Sequence, residues 1–336
     1  MKRVLVTGGA GYVGSHACLK LAEAGYMPIT YDNLSTGHRE FVRFGPFEEG
    51  DVRDRQRLAE VMNCYRPEAV MHFAAQADVA ASMRNPEETL GINLGGTACV
   101  ADMAAECGAD AFILSSTCAV YGNSGSGGAL TEETSIAPES PYGESKYMAE
   151  CVLAAQESKT GMRTARLRYF NAAGADPEGR IGESHYPETH LIPLALKTAQ
   201  GRRGPLKIFG TDYDTPDGTA IRDYVHVLDL ADAHIAALEH LWAGGQSLVA
   251  NLGTGQGTSV REIIQTCHEV TGERILALAS ERRRGDPAAL YADASRAFDV
   301  LNWKPRHELI DMIAHAWAWH NTHEAQILRE TRSAAE

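Results

Sequence analysis

The feature that most constrains this chain is a glycine-rich turn between a short apolar run and an amphipathic one. Arg3 to Thr7 (RVLVT) reads as a buried strand, and Tyr12 to Ala24 reads as a helix stopped by Gly25. Gly8, Gly11 and Gly14 lie at the junction. Gly8 permits a tight turn, Gly11 lets a ligand approach the backbone, and Gly14 lets helix and strand pack closely. The helix N-terminus then offers amide hydrogens and a positive dipole to phosphate. Pro28 to Tyr31 supplies a second strand, ended by Asp32, 18 residues after Gly14. A carboxylate there holds ribose hydroxyls and repels a 2′-phosphate, so the pattern reads as a site for NAD rather than NADP. Asp51 and Val52 are placed to bracket the adenine, the plainer reading of Asp51 being a helix cap.

Further strands are predicted at Ala69 to Phe73, Ala111 to Ser115 and Arg166 to Tyr169, separated by helices over Leu90 to Cys107 and Tyr142 to Ser158. Such alternation predicts an α/β fold with a doubly wound parallel (Rossmann) sheet. After Asn171 the pattern is broken by Pro177, Pro187, Pro193, Pro205 and Pro216 and by long polar loops. That segment reads as a smaller, mixed C-terminal substrate lobe. The expected division is 1–170 for the NAD-binding unit and 171–336 mainly for the lobe. Val225 to His240 and Leu248 to Gly253 are expected to return a helix and a strand to the main sheet.

A chain of 336 residues, 44% hydrophobic and 22% charged, fits a soluble globular enzyme. Its net charge of −13 argues against nucleic acid and acidic membranes as partners. No apolar run approaches the ~20 residues that span a bilayer, and the first strand begins too early to leave room for a signal peptide. The seven cysteines contain no C-x-x-C pair. They predict free thiols in a reducing compartment, hence a cytoplasmic protein with neither zinc site nor disulfide frame. His315, His320 and His323 beside Trp317 and Trp319 read as a terminal amphipathic helix with no carboxylate–histidine cluster beside it, so no metal is predicted.

Tyr142-Gly-Glu-Ser-Lys146 sets a phenol and an ammonium four residues apart, on one face of a helix. A fixed ammonium stabilises a phenolate, so the tyrosine pKa is expected to fall from about 10 towards neutrality. The result is a general base for a sugar or alcohol hydroxyl. Alone, the spacing is better read as a solvated helix start. The nucleotide fingerprint upstream favours chemistry.

Gly8-x-x-Gly11-x-x-Gly14, Ser115-Ser116-Thr117 and Tyr142-x-x-x-Lys146, in this order, resemble the extended short-chain dehydrogenase/reductase family. Thr7 to His16, Tyr31 to Gly37, His72 to Ala75, Ser115 to Gly122, Arg168 to Gly174, Ile208 to Tyr213 and Asp217 to His226 resemble its UDP-glucose 4-epimerases. The resemblance extends to about Trp319. It implies tightly bound NAD and a UDP-sugar whose C4 is oxidised to a ketone and reduced from the other face, interconverting UDP-galactose and UDP-glucose. It implies Thr117 and Tyr142 at the sugar O4, and Lys146 at the nicotinamide ribose. Tyr12, Val13, Asn33, Ser35, Thr36, Gly37, Phe73, Ala74, Ala75, Asn93, Ser115 and Phe170 fall on cofactor positions. Asn171, His190, Leu191, Phe209, Arg222, Arg283 and Asp286 fall on substrate positions, with Arg222 and Arg283 suited to clamp a diphosphate. The plain reading of Arg282-Arg283-Arg284 is a solvated surface run.

Three positions depart from relatives. Ala77 stands where some have Lys, His190 where others have Asn, and Leu290 where residue size gates N-acetylated sugars. Leucine leaves UDP-N-acetylglucosamine open as a substrate, and a UDP-pentose (xylose/arabinose) 4-epimerase, the first alternative, would share the same machinery and differ only in the packing around C6. A 4,6-dehydratase would carry Asp-Glu after Thr117, where Cys118-Ala119 stand. A non-catalytic NAD-responsive regulator would be expected to lose Tyr142 or Lys146. The family also implies a homodimer through the helices containing Leu90 to Cys107 and Tyr142 to Ser158.

Overall fold

A computed structural model describes residues 1–123, 128–283 and 286–322. Arg284, Gly285, His323 and part of the glycine- and serine-rich loop lie outside the described residues. β1 (Arg3–Thr7) runs into α1 (Tyr12–Glu23) and on to β2 (Met27–Asp32). β3 (Phe47–Glu49), too short and polar to be read from sequence, precedes α2 (Arg55–Tyr65) and β4 (Ala69–His72). α3 (Val79–Arg84), α4 (Pro86–Leu90), a π-helical turn over Gly91–Gly95 and α5 (Gly96–Cys107) lead to β5 (Ala111–Thr117). α6 (Pro141–Thr160) then joins β5 to β6 (Arg163–Tyr169).

The later chain alternates shorter pieces. β7 (Asn171–Ala173), α7 (Leu191–Ala199), β8 (Leu206–Phe209), β9 (Ile221–Arg222) and β10 (Tyr224–His226) come first. α8 (Val227–Trp242), β11 (Leu248–Leu252), β12 (Thr258–Ser259) and α9 (Val260–Thr271) follow. β13 (Ala277–Ser280), β14 (Ala289–Leu290), α10 (Ser295–Leu301) and α11 (Leu309–His320) complete the order.

Among the described residues the main sheet has seven strands in the order β11-β6-β5-β4-β1-β2-β3. Every pairing in it is parallel. This is the doubly wound Rossmann-type sheet that the alternation predicts. β5 is buried at every position, as a strand covered on both faces must be. Alternate side chains go to opposite faces. Val4, Val6, Met71 and Ile113 pack with Leu21 of α1 and Leu230 and Leu238 of α8. Leu5, Val70, Phe112 and Leu114 pack on the other face with Leu58, Val100 and Leu153 of α2, α5 and α6.

The smaller sheets are mixed, β9 pairing antiparallel with β12 and parallel with β14. A separate cluster of Ile192, Leu196, Ile263 and Met312 on α7, α9 and α11 stands beside them. Two local expectations are corrected. Val225 and His226 belong to β10, and the helix begins only at Val227. The helix expected over Leu90 to Cys107 contains the π-turn. All seven cysteines are free thiols, and among the described residues no helix is long and apolar enough to cross a membrane.

Candidate functional site

The fingerprint turn is shaped by what its glycines lack. Gly8 has φ +73°, and a Cβ there would meet Ala74 N at 2.5 Å. A Cβ on Gly14 would lie 2.1 Å from the Gly8 carbonyl oxygen, so α1 can start this close to the turn only with glycine. Gly11 would meet the Gly8 oxygen alone, at 3.3 Å, which leaves its outer side open to a ligand. Asp32 is buried and accepts from Ala10 N at 3.0 Å and Leu34 N at 2.8 Å. Burial raises its pKa, and those two bonds oppose the rise.

A cavity of about 130 Å³ gathers Gly8, Gly11, Asp32, Asn33, Ser35, Thr36, Asp51, Val52, Phe73, Ala74 and Ala75. The glycine cradle, the helix N-terminus and the ribose-side carboxylate fit a dinucleotide. Gly50, Gln76 and Ile92 also line it and were not singled out in the sequence. Gly50 had a structural signal: a Cβ there would strike the Tyr31 hydroxyl at 2.3 Å. Asp51 is not a helix cap. Asp54 caps α2, accepting from Arg57 N, while Asp51 is gripped by Arg53 and Asn33. Chiefly through Arg53, its pKa drops to about 2. Tyr12 and Gly37 lie outside this lining, Tyr12 donating to Gly174 O at 2.6 Å and Gly37 packing against Ala10 and Asp32. Val13 is partly exposed in the first turn of α1.

The catalytic candidates converge on the C-terminal end of β5. Ser140 caps α6 by accepting from Gly143 N, with Pro141 at the first turn, and this fixes where the helix begins. Lys146 is then buried with Nζ donating to Ser115 O at 2.8 Å, while Thr117 hydrogen-bonds the Tyr142 phenol. The shared helix face is therefore as expected. The electrostatics are not. Burial pushes the Tyr142 phenol well above its ordinary pKa, Tyr169 adds to the rise, and the Thr117 bond opposes it. Lys146 itself drops to about 8 through burial, with Glu150 in partial opposition. In the protein alone, removal from water outweighs any help from a lysine whose ammonium is aimed at the Ser115 carbonyl.

Asn93, in the π-turn, exchanges hydrogen bonds with Gln76 and donates to Ser145 Oγ at 2.9 Å. Thr97 donates to Asn93 O, so it must accept from His72 Nε2, and Thr7 then donates to His72 Nδ1 at 2.6 Å. His72 is accordingly neutral, held down to about pKa 3 by burial and by Lys146. Phe170 packs with Val120, Tyr121, Leu130, Ala292 and Leu290. Cys118 has its thiol pushed up to about 12 by burial, which leaves it no acid–base role near neutrality.

A second cavity, about 810 Å³, gathers Asn171, His190, Leu191, Phe209, Arg222, Arg283 and Asp286, all seven positions assigned to the lobe. Ala77 lines it too. Thr117, Tyr142 and Lys146 are in neither lining. The arginine clamp is modified: Arg222 is ion-paired to Asp286 and donates to Ile221 O at 2.6 Å, while Arg283 stacks 4.1 Å over the Phe209 ring. Arg203, Lys207 and Tyr224 are further lining groups missed in the sequence. Two basic residues, Arg203 just before β8 and Lys207 within it, were the available signal in so acidic a chain.

Two histidine groups draw together donor atoms within 4.8 Å: Glu183, His185, Glu188 and His190, and His226, His307 and His315. The second corrects the isolated reading of His315. His226 Nδ1 accepts from Leu228 N, so its Nε2–H donates to His315 Nδ1 at 3.0 Å. His307 Nδ1 in turn lies 2.9 Å from the buried Asp229 carboxylate. In both groups each histidine has at least one ring nitrogen engaged with another imidazole or with a carboxylate. His320 is buried in α11.

Residues 4–253 match the model of the NAD dependent epimerase/dehydratase family. A UDP-glucose 4-epimerase of Rhizobium meliloti is 50% identical over 318 residues, covering 95% of this chain and 97% of that protein. A crystal structure of UDP-glucose 4-epimerase from Brucella ovis in complex with NAD superimposes with a TM-score of 0.92 at 47% identity, covering 95% and 98%. The UDP-Glc/GlcNAc 4-epimerase of Campylobacter jejuni gives 0.83 at 36% identity, covering 95% and 99%.

Proposed function

We propose that this chain, which belongs to the NAD-dependent epimerase/dehydratase family, is an isomerase that interconverts UDP-galactose and UDP-glucose through a 4-keto sugar. The observation that carries this is the joining, in one chain, of a nucleotide cradle, a Thr117–Tyr142–Lys146 group and a cavity walled by Arg222 and Arg283. Gly8, Gly11, Gly14 and Asp32 would hold NAD, with Asn33, Ser35, Thr36, Asp51 and Val52 around its adenosine end. NAD, when bound, would supply a hydride acceptor and, once reduced, a hydride donor, and the 4-keto sugar would have to turn within the site to present its other face. Tyr142 takes the O4 proton and gives it back, and Thr117 hydrogen-bonds the oxygen as charge develops there. With burial holding the phenol pKa up, the cation of Lys146 and that of oxidised nicotinamide are what must bring it down. Asn171, Leu191, Phe209, Arg222, Arg283 and Asp286 would bind the UDP portion.

The division into a cofactor unit over 1–170, with segments near 225–253, and a lobe over 171–336 belongs to this reading. So do a cytoplasmic location, supported by free thiols, and a homodimer, supported by exposed Tyr147 and Met148 on α6. The test is to incubate the purified protein, with no NAD added, with UDP-galactose, UDP-xylose or UDP-N-acetylgalactosamine. Conversion of UDP-galactose at a rate matching or exceeding the others is expected. Activity confined to UDP-xylose would replace hexose by pentose as substrate.

A further inference from the structure

His190 stands at the N-terminus of α7 and lines the same cavity as Arg222 and Arg283. Its Nδ1 lies 2.8 Å from Glu183 Oε1 and 3.1 Å from Glu188 Oε1. These carboxylate side chains are only 7% and 3% exposed, whereas that of His190 is 52% exposed. Two carboxylates withdrawn from water cannot stay ionised side by side without a counter-charge. Glu188 Oε1 also accepts from Thr189 N and His190 N at 2.8 and 2.9 Å, so it cannot turn away. With Nδ1 tied to carboxylates, Nε2–H is the donor the ring has left, on a side chain half exposed at the cavity wall.

Other charged groups share this neighbourhood. His185 Nδ1 lies 3.1 Å from the same Glu183 oxygen, and Lys197 on α7 is 3.9 Å from Glu188 Oε2. Tyr12 on α1 feels both carboxylates, but burial keeps its phenol neutral. Across the cavity Arg222 and Asp286 pair with each other, and Asp78, Arg203, Lys207 and Arg283 complete the charged lining.

We propose that Glu183 and Glu188 are positioning residues that hold His190 as an imidazolium, and that His190 is a fixed cation for the diphosphate of the bound nucleotide sugar. This rests on the reading of the cavity as the UDP-sugar site. Burial lowers the His190 pKa, but Glu183 and then Glu188 outweigh it and carry it to about 11. An asparagine here would offer hydrogen bonds but no charge.

The test is calorimetric binding of UDP-glucose to the full NAD-bound protein across about pH 5.5 to 9, a range that spans the ordinary histidine value. His190→Asn is expected to weaken binding roughly five-fold at low salt, the difference between a charge-assisted and a neutral bond, and to flatten the salt dependence. Relative to the parent protein, Glu183→Gln should lose affinity as pH rises through neutrality, because His190 then sheds its proton. Glu188→Gln gives the same readout if Glu183→Gln does not fold. Parallel pH profiles for parent and carboxylate variants, or unchanged low-salt affinity in His190→Asn, would overturn the proposal. No binding of UDP-glucose by the parent protein would remove the underlying site assignment instead.

Discussion

Lys146 is where a single charge acts most visibly on the rest of the molecule. Its pKa of about 8 in the fold lies below the ordinary 10.5. Below about pH 8 the amine is charged in both states and its burial penalty is complete. Between the two values the unfolded chain keeps a proton that the fold has released, so stability rises with pH. Lys146→Met, freed of nucleotide, should therefore unfold at higher urea at pH 7, by up to about 3 kcal/mol at 1.36 kcal/mol per pKa unit. The gain should fade by about pH 10.5, and an equal gain at both pH values would contradict a buried ammonium. Tyr142→Phe removes only the phenol oxygen. It should abolish most epimerisation while NAD, measured by absorbance of the denatured supernatant, stays bound. At this scale the sequence revealed which groups meet, because i and i+4 share a helix face. It concealed the direction of the tyrosine shift, because desolvation depends on Tyr169, Thr117 and a closed fold around them.

α6 is held by a polar network as well as by its apolar face. Glu150, one turn beyond Lys146, receives Arg168 Nε at 2.9 Å and Nη2 at 2.5 Å, together with Ser116 Oγ at 2.5 Å. Arg168 also donates to Tyr121 OH, which donates to Asn251 on β11. Both members of the ion pair are nearly buried, at 6% and 4% side-chain exposure. Glu150→Gln leaves a guanidinium without its counter-charge and should cost roughly 3–5 kcal/mol in urea unfolding. A cost below about 1 kcal/mol, the value of a surface pair, would show that water reaches Arg168. Long apolar elements such as β1, β4 and β5 were legible in the sequence to within a residue or two. β3 and the π-turn were not, since three residues, two of them glutamates, carry no period and a helix with one inserted residue reads like one without. The substrate wall was legible only through the resemblance, because its residues come from segments scattered between Ala77 and Asp286 and no local pattern joins them.

On the scale of the whole molecule, Tyr147 and Met148 on α6, with Val79 and Met83 on α3, leave apolar side chains exposed. If two copies pair there, Tyr147→Asp with Met148→Asp should convert a dimer into a monomer in analytical ultracentrifugation, while the NAD content stays unchanged. A parent protein that sediments as a monomer would contradict the pairing. The sequence order of the main sheet has a consequence of another kind. β11 covers the edge of β6, yet roughly 80 residues separate them. During synthesis at roughly 5–20 residues per second, β6 leaves the ribosome and waits roughly 4–16 s for its neighbour. Throughout that interval its backbone is an open template for a strand from another nascent chain. A truncation ending soon after Tyr169 makes that wait permanent, and its insoluble fraction in cell-free translation should greatly exceed that of a chain extended past Leu252.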